Sequence, residues 1–377
     1  MKIFITGIGL LSSLGTLETT WQRLIAGESG IQWHEPFEEL GSRPLGLISD
    51  RPFDFLNLTK IVVSEAIADA GLSPPLLDCG VVIGSSRSQQ SCWEKLARER
   101  GGEKFFVGIE NWLETLPHIG AIATAREIGT IGPVLAPMAA CATGIWAIQQ
   151  GFELIKSGQC DRVIAGAVEA PITRLTLAGF QQMGALAKTG AYPFDRDREG
   201  FVLAEGAAVF VLESEESARR REAKIYGEIL GFGLTSDAYH ANSPEPGGWS
   251  AILAVKQCLD RSYLSPSDID YIHAHGTATQ LNDKNEAQVI QYLFPQGVAV
   301  SSTKGASGHT LGASGALGAA FCLMALKHQI IPSNVGLRES EFDLDLVRVA
   351  RRGEIRNVLC FSFGFGGQNA VMALGKV

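Results

Sequence analysis

Four short segments carry the side chains whose type and spacing could do covalent chemistry. Residues 137–144 read PMAACATG, after an apolar run and before a helical pattern. A cysteine at such a junction, Cys141, faces a helix N-terminus, where unpaired N–H groups and the helix dipole favour a thiolate. That would make it a nucleophile near neutral pH; the competing reading is a small buried hydrophobe. Residues 272–279, IHAHGTAT, place His275 where a strand pattern gives way to a loop, a common position for sites. His273 would share that strand face and permit a two-histidine metal pair, although no third ligand stands at a recognisable spacing. Residues 301–318, SSTKGASGHTLGASGALG, hold Lys304 and His309 among small residues that allow close approach, or else form a helix-packing surface. Residues 361–369, FSFGFGGQN, are too glycine-rich for regular structure and could aim backbone N–H groups at an oxyanion.

These segments need a scaffold, and the pattern supplies one. Strand-like runs lie at 2–6, 79–83, 162–165, 207–212, 224–230, 269–273, 298–301, 358–362 and 370–374. Helical patterns lie between them at 57–70, 144–156, 250–260 and 315–327. Apolar strands alternating with helices indicate α/β sheets covered on both faces. Both halves repeat the order strand, helix, strand, as a duplicated α/β unit would, with expected bounds 1–223 and 224–377. The charged run ESEESARRREAK, 213–224, reads as a solvated helix between them.

Composition sets limits. The chain has 377 residues, 46% hydrophobic and 19% charged, enough for a sizeable core and incompatible with wholesale disorder. Its 43 glycines exceed the usual share of about 7%. A net charge of −8 without a basic stripe argues against nucleic acid as a partner. Seven scattered cysteines with no C-x-x-C point to a reducing, cytoplasmic setting. The N-terminus reads as a first core strand rather than a signal peptide, and no uninterrupted apolar stretch approaches ~18 residues, so no membrane span is expected.

In order and combination the four segments resemble the β-ketoacyl-acyl carrier protein synthases of the elongating, Cys-His-His type. The likeness covers nearly the whole chain: TGIGLLSSLG and AGESGI near the start, PFDRDREGFVLAEGAAVFVLE at 193–213, then HGTATQLNDKNEAQ, SSTKGASGH and SFGFGGQN. The resemblance implies a thiolase-like fold with layers α-β-α-β-α, no cofactor or metal, and substrates carried on the phosphopantetheine of acyl carrier protein. It also implies a homodimer. Within it, Cys141 would hold the acyl chain, and the N–H groups of Cys141 and Phe365 would form the oxyanion hole. His275 and His309 would stabilise the enolate left by malonyl decarboxylation, with Lys304 ordering them. Thr277 and Thr279 would line the phosphopantetheine entry, Phe365 and Phe180 would gate the pockets, and Asp283 and Glu286 would fix the loop after His275.

Departures from the family pattern bear on substrate and docking. Arg87 stands where the fatty-acid branch has a small apolar gate, so it would either turn away to pair with a carboxylate, shorten the acyl pocket, or face solvent. Asn282 replaces a glycine, and Gly318 replaces a glutamate that could have partnered Lys304. Basic candidates for gripping an acidic carrier are Arg51, Lys60, Lys95, Arg98, Arg100 and Lys188. The rival readings are a thiolase, for which Cys360 would have to supply a second catalytic thiol, and a non-catalytic chain-length-factor partner, which would lack Cys141. A serine hydrolase is disfavoured by the absence of G-x-S-x-G.

Overall fold

The computed structural model describes residues 1–99 and 112–377. Arg100 therefore lies outside the described residues. Among the described residues the main sheet has twelve strands, ten of which frame the site. The first five are β1 (Ile3–Ser12), β2 (Cys79–Gly84), β3 (Val134–Leu135), β4 (Arg162–Glu169) and β5 (Gly206–Ser214). The second five are β6 (Gly227–Ser236), β7 (Tyr271–His273), β8 (Ala299–Ser301), β9 (Asn357–Gly364) and β10 (Gln368–Gly375). The first set runs β3-β2-β4-β5-β1 and the second β8-β7-β9-β10-β6, one order used twice. Orientation repeats as well: the three outer strands of each set are parallel and the remaining pairings antiparallel. The sets touch edge to edge only where Phe4 and Ile5 of β1 pair with Glu228 and Gly227 of β6.

The helices repeat in step. They are α1 (Phe55–Asp69), α2 (Ile119–Ile128) and α3 (Thr143–Lys156) in the first half, and α4 (Trp249–Ser262), α5 (Gln280–Leu293) and α6 (Ser314–His328) in the second. Side-chain alternation along the strands assigns the layers. In β5, Val209 and Val211 join Leu58 and Val62 of α1 and Ile119 of α2 in an outer core, whereas Phe210 and Leu212 face Ile145 and Ile148 of α3 in a central core. In the second half, Leu359 and Phe361 of β9 meet Ile252 of α4 and Ile290 of α5, while Val358 and Cys360 face α6. The result is the expected α-β-α-β-α stack, with α3 and α6 as its middle layer. The segment Leu311–His328 is apolar and long enough to cross a membrane, but 89% of it is buried in the fold, as this middle position requires.

The middle layer is close-packed because its helices carry almost no side chain where they meet. A Cβ on Gly144 would stand 2.9 Å from Ala316 Cβ, and one on Gly315 would stand 2.9 Å from Ile145 Cγ1. The charged run at 213–224 departs from the expected solvated helix. Only Glu215–Arg220 is helical, and Glu213 is fully buried at the end of β5. Its carboxylate accepts bonds from Thr6 (2.7 Å), Ser217 (2.9 Å), Arg162 (2.8 and 2.9 Å) and Arg221. This clamp ties β1, β4 and β5 together. Burial alone would raise the carboxyl, but Arg221, Thr6 and Arg162 outweigh it and hold it at about 2.

Glu213→Gln should therefore lower unfolding free energy by about 3 kcal/mol at pH 7, because it leaves two guanidinium groups facing a neutral amide. A depressed folded value stabilises above the ordinary 4.5 and is lost as pH falls toward about 2. Denaturant titrations of both proteins over falling pH should show the difference shrinking through that window; a constant difference would contradict the clamp.

Candidate active site

Each half delivers its functional side chains from the C-terminal ends of its parallel strands, where loops meet helix N-termini. Cys141 sits two residues before α3 and is 6% exposed. The residue before it, Ala140, has φ of 47°, a left-handed conformation that costs a non-glycine residue about 1–2 kcal/mol. Ser362 Oγ donates to the Cys141 carbonyl oxygen at 2.8 Å, fixing the loop against β9. Gly364 is required here, since a Cβ on it would lie 3.0 Å from both Cys141 N and Ala139 O. That proximity brings the Phe365 N–H onto the Cys141 sulfur. Burial pushes the thiol up to about 11, opposed by Lys304, the Phe365 N–H and Arg87. Burial thus opposes the expected helix-terminus thiolate, and Lys304, the Phe365 N–H and Arg87 favour it.

His275 follows β7 and His309 precedes α6, both buried. Their ligand nitrogens and Cys141 Sγ all lie within 4.8 Å of one another, and the imidazole rings meet edge to face at 5.4 Å. Burial, reinforced by Lys304, holds both histidines well below their usual range, so both are neutral. The tautomers follow from the partners. His309 Nδ1 accepts from Leu311 N–H at 3.2 Å and lies 2.7 Å from Ser314 Oγ, which places the ring proton on Nε2. His275 Nδ1 lies 3.5 Å from Lys304 Nζ, and a charged Lys304 donating to it would leave the ring proton on Nε2. Cys, His and His are also metal-binding types. A ring whose Nδ1 accepts a hydrogen bond, as that of His309 does, presents an Nε2–H donor to the cavity. His273 is not part of this cluster: its Nε2 bonds Thr303 Oγ1 at 3.0 Å, and the two-histidine metal pair with His275 does not form.

Two buried carboxylates organise the second half of the site. Glu286 on α5 accepts from His275 N–H at 2.6 Å and Gly276 N–H at 2.7 Å. Asp283 accepts from Phe194 N–H at 2.8 Å and Ala278 N–H at 3.2 Å. Asn282 replaces the family's glycine without loss, donating to Asp283 at 3.1 Å and Glu286 at 3.3 Å. Lys304 is buried and donates to the His275 carbonyl. Burial lowers it, opposed chiefly by the charge of Glu286. A glutamate could not stand at Gly318, where a Cβ would lie 2.9 Å from Cys360 Sγ and from the His273 ring.

A cavity of about 290 Å³ opens onto this cluster, lined by Cys141, His275, His309, Thr277, Thr279 and Phe365 among others. Thr277 and Thr279 hydroxyls lie 2.9 Å apart on its wall. Phe180 is buried behind Phe365, 6.2 Å from it, and packs edge to face on Phe201 at 5.1 Å. Arg87 is half-buried and finds no carboxylate among the described residues; its guanidinium lies 5.6 Å over the Phe180 ring. Of the basic candidates, Lys188 neighbours the cavity: its N–H donates at 2.8 Å to Glu199, a lining residue. Lys60 lies instead on a separate small cavity between α1 and α2 with Glu127, and Arg51, Lys95 and Arg98 line neither. Cys360 is buried in β9 with its sulfur 3.7 Å from the Gly315 carbonyl, outside the cavity lining, so it is not placed as a second reactive thiol. Sequence reasoning passed over Glu169 and Ser314. Glu169 had a visible signal, a lone carboxylate in the apolar run VIAGAVEAP, whereas Ser314 was one small residue among many.

Duplicated thiolase-like halves with a Cys-His-His cluster at their junction define the class of condensing acyltransferases. Family comparison agrees: residues 52–218 match "Beta-ketoacyl synthase, N-terminal domain" and residues 226–338 match "Beta-ketoacyl synthase, C-terminal domain". The chain is 34% identical to 3-oxoacyl-[acyl-carrier-protein] synthase 2 of Staphylococcus aureus, covering 100% of this chain and 98% of that one. It is 33% identical to the mitochondrial 3-oxoacyl-[acyl-carrier-protein] synthase of Arabidopsis thaliana, covering 100% and 93%. A ketosynthase solved in complex with its type II polyketide acyl-carrier protein and bound to a hexaketide superposes with TM-score 0.93 at 26% identity, covering 100% and 99%. The chain belongs to the β-ketoacyl synthase family and is an enzyme of that family.

Glu286→Ala would leave two buried N–H groups without acceptors, each worth about 1–3 kcal/mol. The expected loss by urea unfolding is about 2–4 kcal/mol, with Glu286→Gln, which keeps one acceptor oxygen, losing about half. Equal stability of all three proteins would show that the loop after His275 does not depend on this carboxylate.

Proposed function

We propose that this enzyme condenses an acyl group held on Cys141 with a malonyl group delivered by acyl carrier protein, releasing carbon dioxide and a β-ketoacyl thioester. The observation that carries the reading is the convergence of two buried imidazoles on one buried thiol, with ligand atoms all within 4.8 Å of one another. In the first step the Cys141 sulfur attacks the carrier thioester. The developing oxyanion is met by the N–H groups of Cys141 and Phe365, the carrier C–S bond breaks, and the thiol proton ends on the departing pantetheine sulfur. In the second, His275 and His309 donate to the malonyl thioester oxygen. The C–C bond to the carboxylate breaks, carbon dioxide leaves, and its electron pair spreads into an enolate that the two donors stabilise. The enolate carbon then attacks the acyl-cysteine carbonyl; the new C–C bond forms, the C–S bond breaks, and Cys141 recovers a proton from solvent. Neutral donors suit this task, because a charged imidazolium would be costly in a site this deeply buried.

The cavity past Thr277 and Thr279 would admit the phosphopantetheine arm, with Phe365 and Phe180 between it and the acyl side. No step calls for a metal or cofactor. Acyl carrier protein is the proposed partner, in line with the similar ketosynthase solved with its own carrier. Self-association into a homodimer is supported by the exposed apolar residues Ile131, Leu135 and Met138 flanking edge strand β3 and the Cys141 loop. The seven unpaired thiols support a reducing, cytoplasmic setting. The presence of Cys141 weighs against a non-catalytic chain-length factor.

Cys141→Ala should keep the fold and abolish acyl loading, read by intact mass. His275→Ala and His309→Ala should still load but release carbon dioxide from malonyl carrier about 10²–10³-fold more slowly. Loading of the cysteine variant at wild-type rate, or near-normal decarboxylation by both histidine variants, would refute these roles.

A further inference from the structure

One pair of buried polar groups beside Cys141 has no task in this chemistry. Glu169, at the end of β4, is fully buried. One of its carboxyl oxygens accepts from Ser86 N–H, while the other, Oε2, has no partner among the described residues. Arg87 is the next residue along that loop. Its Nε is buried and also unpartnered, and its only polar contact is a marginal one from Nη1 to the Ser86 carbonyl at 3.5 Å. The two do not satisfy each other, since Arg87 makes no ion pair among the described residues. Stacking on Phe180 holds the guanidinium in place. The loop that carries Arg87 packs on the loop that carries Cys141, since a Cβ on Gly84 would lie 3.0 Å from the Pro137 carbonyl oxygen and 2.5 Å from the Thr143 methyl. Neither lines the cavity that holds the histidines; Arg87 is separated from it by Phe180, which packs on the lining residue Phe365.

We propose that Arg87 and Glu169 form an oxygen-reading subsite for the acyl group on Cys141, which selects acyl chains carrying a carbonyl or carboxylate oxygen a few atoms from the thioester. The proposal rests on Cys141 being the acylated residue. An unmet buried donor or acceptor costs about 1–3 kcal/mol. A plain alkyl chain laid against this pair leaves both unmet, whereas an oxygen acceptor takes the Arg87 Nε–H. Burial raises the Glu169 carboxyl, opposed chiefly by Ser86, and a carboxyl protonated there would donate to the same ligand. A site built to hydrogen-bond a substrate oxygen rejects the analogue that lacks it far more strongly than an apolar pocket rejects an added methylene.

The test compares three four-carbon acyl groups on carrier protein, namely butyryl, acetoacetyl and succinyl, by the rate at which each adds its mass to the full-length enzyme. At least one of the oxygenated groups should acylate Cys141 about tenfold or more faster than butyryl. The acetoacetyl and succinyl arms distinguish a ketone from a carboxylate. Arg87→Ile should bring the ratio to within about threefold of unity, and Arg87→Gln, which keeps a polar side chain of smaller reach, should do so in part; circular dichroism checks that both fold. Butyryl loading as fast as both oxygenated groups in the wild-type enzyme, or an unchanged ratio in the folded variants, would overturn the subsite. No adduct from any of the three would instead refute Cys141 as the acylated residue, and the subsite with it.

Discussion

The distance between the thiol and the imidazoles depends on a contact between two helices that carry almost no side chains where they touch. Cys141 stands two residues before α3, and His309 is joined to α6 by the single 3-10 turn Leu311–Ala313, so the approach of these helices sets how far apart the two side chains can be. Gly144 faces Ala316 and Gly315 faces Ile145, with no room at either glycine for a Cβ. A larger residue at this contact would part the helices by roughly the width of a methyl group. Because protein interiors are close-packed, that displacement would reach the site rather than be absorbed nearby. The duplicated sheets add the second part of the constraint, since the same strand order used twice brings the loop-bearing ends of both halves to one junction.

Burial then decides the protonation of everything at that junction. It raises the thiol, lowers Lys304 and holds both histidines neutral. A site with those settings is poor at general acid–base chemistry near neutral pH but well suited to hydrogen-bond donation toward a developing oxyanion. Lys304 acts on this arrangement through His275: it donates to the backbone carbonyl and stands against Nδ1, which fixes the tautomer from behind. Glu286 fixes the same residue through its N–H, so His275 is held through both its N–H and its carbonyl oxygen.

Much of the scaffold was legible in the sequence, and what escaped has identifiable causes. Nine of the ten core strands stand out as β-branched runs, but β1 extends to Ser12 because Gly7 and Gly9, which interrupt the run, lie against α1 where a side chain would not fit. Strand β3 is only two residues long and gives no periodicity. Helix α5 was missed because the first turns of its inner face carry Asp283 and Glu286, whose task is to accept backbone N–H groups, so the apolar stripe begins only at Ala287. Glu213 was misread for a related reason: it opens a charged run, and nothing in local sequence shows that Arg162, some fifty residues earlier, stands ready to pair with it. The Cys-His-His cluster was visible as residue types at strand ends. The partners that set its protonation, Ser314 and the Leu311 N–H, were not, because they depend on a turn that brings them back onto the ring.

The claim on which the account turns is that His275 and His309 are neutral and carry their protons on Nε2. Nitrogen-15 NMR of histidine-labelled enzyme reads both properties directly. At pH 6, below the ordinary histidine value of 6.5, both rings should still show an unprotonated Nδ1 and a protonated Nε2. A doubly protonated ring, or a proton on Nδ1 of either histidine, would contradict it.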